Sequence, residues 1–260
     1  MLPISLRRIA PVVVLALLAG CSTLKKPEDS AGSAEHFYNK GLTALNLGDY
    51  PRAIRNFQTL DARYPYGAYA EQAQIDIAYA YYKNNHPNEA IDAADRFIRL
   101  HPTYRYVDYA YYLKGLANFH FKHSALANLF TGSNLSDRDT KRLADAYDAF
   151  RVVITRFPHS RYVADSRKRM AYLLNLMAES EINIARFYYK RGAYVAAANR
   201  AKYVIDHYQR TPAVEDALGI QAMAYKRMGM KQLASDTLRV LQLNFPGSHY
   251  IWQIQALPAG

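Results

Sequence analysis

Few side chains in this 260-residue sequence are arranged for catalysis or metal binding. The chain has no glycine-rich phosphate loop, no HExxH motif and no GxSxG motif. His120 and His123 could share a helical face, but two histidines are better explained as exposed positions than as metal ligands. Glu179 and Glu181 are too generic in their setting to indicate an acid–base pair. We therefore expect no enzyme active site, no metal and no cofactor.

Cys21 is the only cysteine, and its position indicates a covalent modification. Two arginines and an apolar stretch of signal-peptide length precede it, and that stretch is short for a membrane span. Leu18-Ala19-Gly20-Cys21 looks like a bacterial lipobox, in which the cysteine is acylated and becomes the first mature residue. An ordinary secretory signal is the alternative, but it leaves the position of the single cysteine unexplained. We predict a lipoprotein signal peptide over 1–20 and a lipidated Cys21.

The residues after Cys21 indicate where the lipid would hold the protein. Each buried methylene contributes about 0.8 kcal/mol, so three acyl chains would make attachment effectively permanent. Ser22 stands where an Asp would favour inner-membrane retention in enteric-type bacteria, which points to the outer membrane and a periplasmic body. The segment 21–33 is polar, with Pro, Gly and Ser, and we predict a flexible tether there.

The net positive charge of the chain indicates which classes of binding partner are compatible with it. The chain carries a formal net charge of +11, and Arg7 and Arg8 of the signal peptide contribute two of these charges. A basic chain could bind nucleic acid, but a periplasmic location makes an acidic protein surface or anionic lipid the better candidate.

A pattern of small, aromatic and proline residues recurs along the chain with a spacing of 37 residues. Gly48, Ala53 and Tyr64-Pro65 reappear as Asn85, Ala90 and His101-Pro102, and a second pair of copies starts at Gly192 and Gly229. Each copy fits a helix pair: Gly or Asn allows the turn, Ala permits close helix approach, and Pro ends the second helix. Such pairs must stack to bury their apolar faces, and the pattern resembles the tetratricopeptide repeat. We predict an all-α superhelix of about five helix pairs.

The repeats are placed at 34–66, 67–102, 103–158, 159–211 and 212–246, followed by a terminal cap and tail at 247–260. A longer spacing between His101 and Phe157 predicts an insertion near 122–140 in the third repeat. A second long spacing, with no Pro or Gly over 161–191, predicts that the first helix of the fourth repeat is about four turns longer than usual. That helix would join N-terminal repeats over 34–158 to C-terminal repeats over 159–246.

Tyrosine is unusually common, and thirteen of the 23 tyrosines lie between Tyr38 and Tyr112. Those within one predicted helix point in most directions around it, so they cannot all be core residues. We predict an aromatic groove on the concave surface for an extended peptide with aromatic side chains. The candidate lining residues are Tyr79, Tyr82, Tyr109, Tyr112, Arg99 and Arg105. A simpler interpretation, in which tyrosines only fill packing positions, accounts for part of them.

The C-terminal repeats carry clustered lysines and arginines instead. A charge cluster is often only a solvated face, and the alternative is a docking surface for an acidic protein domain. Arg191 and Arg200 are the candidates for such a contact.

Several segments resemble the BamD (ComL) family, the outer-membrane lipoproteins of the β-barrel assembly machinery. They are the lipobox ending at Cys21, RYPYGAYAEQAQIDIAYAYYKN at 63–84, DRFIRLHPTYRYVDYAYYLKGL at 95–116, SDRD at 136–139 and YYKRGAYVAAANR at 188–200. The resemblance implies a non-enzymatic scaffold whose C-terminal repeats hold the POTRA domains of the barrel subunit BamA and which binds accessory lipoproteins. It also implies that the N-terminal groove receives the aromatic-ended C-terminal signal of unfolded outer-membrane proteins.

Two other functions remain open at this stage. One is a lipid-anchored repeat adaptor that recruits peptidoglycan or division enzymes. The other is an enzyme built on a helical superhelix, such as a transglycosylase, and the absence of a catalytic domain in the sequence given argues against it.

Overall fold

The computed structural model describes residues 32–119 and 137–258, which contain eleven α-helices. The predicted signal peptide, Cys21, most of the tether, the histidines His120 and His123, and most of the predicted insertion lie outside the described residues. The helices are α1 (Ala34–Asn46), α2 (Tyr50–Arg63), α3 (Ala68–Lys83), α4 (Pro87–Leu100), α5 (Val107–Asn118), α6 (Asp137–Arg156), α7 (Val163–Lys190), α8 (Tyr194–His207), α9 (Ala213–Arg227), α10 (Lys231–Asn244) and α11 (His249–Ala256). They form five consecutive pairs with α11 added at the end, which confirms the predicted all-α repeat fold.

The turn inside a helix pair is made by a residue with left-handed backbone. Gly48, Asn85, Gly192 and Gly229 have φ angles of 75°, 60°, 77° and 70°, and each lies between the first and second helix of its pair. Gly and Asn adopt this conformation at the lowest cost, so the recurring residue type follows from the turn geometry.

Small residues allow the two helices of a pair to pack closely. Ala53, Ala90 and Ala197, which open the second helices, are completely buried. In the third pair, Gly115 on α5 lies directly under the ring of Phe150 on α6, and a Cβ at Gly115 would come within 2.6 Å of that ring. The large aromatic side chain therefore fits only because its partner has no side chain.

The helices stack in sequence order, and each packs against the next. First helices also contact first helices of neighbouring pairs, as α1 with α3, α3 with α5, and α7 with α9. First helices therefore lie side by side along one side of the stack, the side expected to form the concave surface of a superhelix.

Helix α7 joins the two halves of the molecule. It has 28 residues, which corresponds to a length of about 42 Å. Leu173, in its N-terminal half, packs in a cluster with Phe150 of α6. Ile182, in its C-terminal half, packs in a second cluster with Ala201 of α8. One rigid element thus carries both the end of the N-terminal core and the start of the C-terminal core.

Candidate functional site

Two of the predicted groove tyrosines converge on a third tyrosine from the next helix pair. Tyr109 and Tyr112 lie one turn apart on α5, and both contact the ring of Tyr162, which directly precedes α7. The centroid of Tyr162 is 5.4 Å from that of Tyr109 and 4.5 Å from that of Tyr112, with which it stacks at an interplanar angle of 15°. These three rings form a continuous aromatic surface across two first helices.

Tyr79 on α3 extends this surface toward the N-terminus. Tyr79 and Tyr109 pack against the same core cluster of α3, α4 and α5. Burial raises the pKa of Tyr109 above its usual range, and the neighbouring Tyr162 and Tyr79 add to this rise. Tyr79 and Tyr82 are both half-buried, and both pack against the core cluster of α3, α4 and α5. We call the surface formed by Tyr79, Tyr82, Tyr109, Tyr112 and Tyr162 the aromatic groove.

A charged network supports the α7 side of the aromatic groove. The Tyr112 hydroxyl donates to Oδ2 of Asp165 at 2.7 Å, and Arg169 Nε donates to the same oxygen. Burial raises the pKa of Tyr112 to about 12, and the hydrogen bond to Asp165 adds to this rise. Burial alone would raise the pKa of Asp165, but the bonds from Arg169 and Tyr112 outweigh it, so that pKa is lowered. Asp165 is therefore held as a paired carboxylate.

A second tyrosine–aspartate bond lies between α1 and α3. The Tyr38 hydroxyl donates to Oδ2 of Asp76 at 3.1 Å, and Gln72 Nε2 donates to Oδ1 at 3.1 Å. Burial raises the pKa of Asp76 to about 6, and the two hydrogen bonds only partly oppose the rise. The ring of Tyr38 lies 5.4 Å from that of Tyr69, so aromatic groups flank this carboxylate too.

A third bond of the same kind closes the C-terminal end. The Tyr250 hydroxyl of α11 donates to Oδ1 of Asp216 on α9 at 2.7 Å. Arg186 of α7 pairs with Oδ2 of Asp216 at 2.9 Å and with Glu179 at 3.2 Å. Tyrosine–aspartate bonds therefore connect first helices, and the cap, at three places in the stack.

The two arginines predicted for the groove lie in different settings. Arg105, in the turn before α5, is exposed, and its guanidinium carbon lies 4.5 Å from the ring centroid of Tyr106. Arg99 is exposed on α4, the second helix of its pair, whereas the tyrosines of the aromatic groove belong to first helices or to the turn before one.

Arg191 and Arg200, the two arginines predicted to contact an acidic partner, differ in their neighbours. Arg191, at the end of α7, is exposed, and its guanidinium carbon lies 4.6 Å from the ring centroid of Phe187. Arg200 on α8 forms an ion pair of 2.9 Å with Glu181 of α7. The side chain of Arg200 is 45% exposed and that of Glu181 only 16%, so Arg200 compensates a mostly buried carboxylate. Arg191 has no carboxylate partner in the part of the chain that the structure describes.

Sequence reasoning missed Tyr162, Asp165 and Arg169, but a signal for the first was present. Arg105-Tyr106 recurs as Arg161-Tyr162 with a separation of 56 residues, the same as that between His101 and Phe157. Arg161 also lies over the ring of Tyr162, at 5.0 Å, as Arg105 lies over that of Tyr106. The separation of 56 residues could therefore have been used to predict that the groove continues into the fourth repeat at Tyr162.

The described residues give no metal cluster and no membrane span. Within 32–119 and 137–258, no group of three His, Cys, Asp or Glu side chains is placed to hold a metal ion. In the same ranges no helix is both long and apolar enough to cross a membrane.

Comparisons with known proteins give one consistent answer. A family model described as "YfiO: Outer membrane lipoprotein" matches residues 30–241. A Neisseria gonorrhoeae protein named "Outer membrane protein assembly factor BamD" is 42% identical over 262 residues, which cover 97% of this chain and 98% of that protein. A Vibrio cholerae protein of the same name is 35% identical over 233 residues, covering 90% of this chain and 96% of that protein.

Proposed function

This chain belongs to the YfiO family of outer-membrane lipoproteins, and on that premise we propose that it is a non-catalytic scaffold of the β-barrel assembly machinery. The observation that carries the proposal is the extent of the likeness, since relatives named as assembly factors match 97% of the chain. The region that matches these relatives therefore includes both the aromatic groove and the two C-terminal arginines, Arg191 and Arg200.

The lipid on Cys21 would hold this scaffold at the periplasmic face of the outer membrane. A triacylated cysteine would supply the attachment, and the polar segment 21–33, predicted to be a tether, would link it to the folded body. Replacement of Cys21 by Ala in the full-length chain should release the protein from the membrane fraction into the periplasmic fraction. Retention in the membrane without the cysteine would contradict a lipid anchor.

The aromatic groove would receive the C-terminal signal of an unfolded outer-membrane protein. Such a segment is extended and ends in an aromatic residue, and stacking on Tyr79, Tyr109 and Tyr162 suits its rings. The groove is built from rigid first helices, so its aromatic faces are held in position before the segment binds. Arg105 and Arg99 supply nearby positive charge for acidic or carboxylate groups.

The C-terminal half would dock the POTRA domain of a BamA-like barrel subunit. Arg191 is the better candidate contact, because it is exposed and pairs with no carboxylate within 32–119 and 137–258. Arg200 has part of its charge compensated by Glu181, which leaves less of it for a partner. Accessory lipoproteins of the machinery are further expected partners.

The test is to recover a tagged copy from outer membranes in mild detergent and identify what accompanies it. Near-stoichiometric recovery of a barrel protein with POTRA domains is the expected result. Recovery of peptidoglycan enzymes without that barrel would instead support an adaptor of another kind and overturn the proposal.

A further inference from the structure

The three tyrosine–aspartate bonds are not equivalent in charge. Asp165 holds Arg169, and Asp216 holds Arg186, so each of these carboxylates has an arginine of this chain as a partner. Among the described residues, Asp76 accepts bonds only from Tyr38 and Gln72, which are neutral. Across residues 32–119 and 137–258, no lysine or arginine pairs with Asp76. The bond between Tyr38 and Asp76, which joins α1 to α3, therefore lacks the arginine that accompanies the other two tyrosine–aspartate bonds.

The carboxylate of Asp76 can accept further hydrogen bonds. Each of its oxygens accepts one bond, and an ionised carboxylate has about four acceptor positions in all. The residue is partly exposed, so the remaining positions are not sealed inside the core. It lies on α3, a first helix, three residues before Tyr79 of the aromatic groove, so the two positions share one face of the helix.

The groups around Asp76 suit a cation. Tyr38 contacts the rings of Tyr69 and Phe57 at 5.4 and 5.8 Å between centroids. Tyr79, one helical turn further along α3, packs with Tyr109 against the core cluster beneath the aromatic groove. A carboxylate with aromatic faces beside it offers both an ion pair and cation–π contacts, which together favour an ammonium or guanidinium group.

The loss of folding stability that ionised Asp76 causes supports a functional role for this carboxylate. A carboxylate that is partly withdrawn from water, with no cationic partner among the described residues, destabilises the folded chain when it is ionised, as the raised pKa of Asp76 indicates. A neutral Asn or Gln could accept the same bond from Tyr38 at lower cost. Unfavourable charges of this kind are more common where a ligand uses them.

We propose that Asp76, together with Tyr38, binds the lysine or arginine side chain of the segment that occupies the aromatic groove. This inference rests on the proposed function, because it takes an unfolded protein segment as the occupant. It adds a specificity rule: segments that carry a cation near their aromatic residues bind better than segments without one. The cation supplied by the ligand takes the place that Arg169 and Arg186 fill at the other two junctions.

The test compares two synthetic peptides that both end in an aromatic residue and differ at one position, which is arginine in one and neutral, isosteric citrulline in the other. Binding of the labelled peptides to the mature chain in detergent micelles is followed by fluorescence anisotropy. The wild type should prefer the arginine peptide by about tenfold, as expected for one charge-assisted contact. Asp76→Asn should bind both peptides equally, and Asp76→Glu should keep the preference.

Asp95→Asn is the matched control, because it removes a carboxylate that already pairs with Lys114 and lies on α4, a second helix outside the aromatic groove. Whatever it does to affinity, it should do equally to both peptides and leave the tenfold ratio unchanged. Equal binding of the two peptides by the wild type would overturn the role of Asp76 while leaving peptide binding in place, whether or not Asp76→Asn folds. If neither peptide binds the wild type, the groove function itself fails, and this inference fails with it.

Discussion

The hydroxyl of Tyr112 on α5 lies 2.7 Å from Oδ2 of Asp165 on α7, across the junction of the third and fourth helix pairs. Because α7 also carries the start of the C-terminal core, this bond links the aromatic groove to the helix from which the C-terminal half begins. Stacking of Tyr112 on Tyr162 reinforces the same junction. A segment bound against Tyr112 would therefore touch the joint between the two halves.

Tyr112→Phe should weaken this joint without disturbing the ring stacking. The substitution removes one hydrogen bond to a charged group but leaves Asp165 paired with Arg169, so we expect a loss of about 1 kcal/mol in the free energy of unfolding. Urea unfolding followed by circular dichroism measures it. Tyr66→Phe is the control, since Tyr66 is 90% exposed and its change should stay within about 0.5 kcal/mol. Equal effects of the two substitutions would show that the Tyr112 hydroxyl does not stabilise the junction.

Gly115→Ala should destabilise the third helix pair by overpacking. A Cβ at this position would meet the Phe150 ring at 2.6 Å, which forces the ring or the helix to shift at a cost of about 1–3 kcal/mol. Thermal unfolding of the variant measures the loss. Gly247→Ala provides the comparison, because a Cβ there meets nothing within 4 Å. An unchanged melting temperature for Gly115→Ala would mean that Phe150 is not held as tightly as the structure indicates.

The turn residues explain why the repeat architecture could be predicted from the sequence. Gly48, Asn85, Gly192 and Gly229 recur because a left-handed backbone allows few residue types, and that constraint is local. The fully buried Ala53 and Ala90 can be recognised in the sequence for the same reason, since a close approach of two helices admits only small side chains. A structural requirement at one position of each repeat, such as the turn or the close helix contact, can therefore be recognised from the residue type that recurs there.

The groove could be predicted only in part, because its chemistry depends on residues from different repeats. Tyr38 and Asp76 are 38 residues apart, and nothing in their local sequence marks them as partners. Glu181 looks generic in the sequence, yet the structure gives it a short ion pair with Arg200. The orientation of a side chain around its helix decides such pairs, and repeat spacing does not specify that orientation.

Asp76 and Asp165 should affect the pH dependence of stability with opposite sign. The pKa of folded Asp76 is raised from 3.8 to about 6, so the folded state binds the extra proton, and stability falls as pH rises through about 6. Asp76→Asn should therefore gain about 1–3 kcal/mol relative to the wild type between pH ~4 and pH ~7.5. The quantity to compare is this change with pH, because Asn also disturbs the bond from Gln72 at every pH.

The pKa of folded Asp165 is lowered instead, so its contribution is present above the usual pKa of Asp and is lost as the pH falls. Asp165→Asn should consequently be less stable than the wild type at neutral pH and approach it in acid. Unfolding free energies of the three proteins across this pH range provide the measurement. Parallel pH profiles for the two variants would contradict the assignment of one carboxylate as unpaired and the other as paired.

Arg191→Glu should weaken recovery of the barrel subunit while leaving the fold intact. The arginine is exposed, and its described neighbour is the ring of Phe187, so the substitution breaks no ion pair that the structure contains. Arg200→Glu is different, because it places a second carboxylate beside Glu181 and should lower stability as well as recovery. Thermal unfolding and detergent co-purification, done on the same preparations, separate the two effects.

The exchange variant Arg200→Glu with Glu181→Arg decides how Arg200 acts. It restores an internal ion pair with the charges reversed, so stability should return toward that of the wild type. The expected result is that co-purification stays low, because the exposed part of Arg200 is itself a predicted contact for an acidic surface of the partner. If co-purification returns together with stability, Arg200 serves the docking half only by holding α8 against α7, and Arg191 alone remains as a candidate contact. Normal co-purification of folded Arg191→Glu would remove that candidate too.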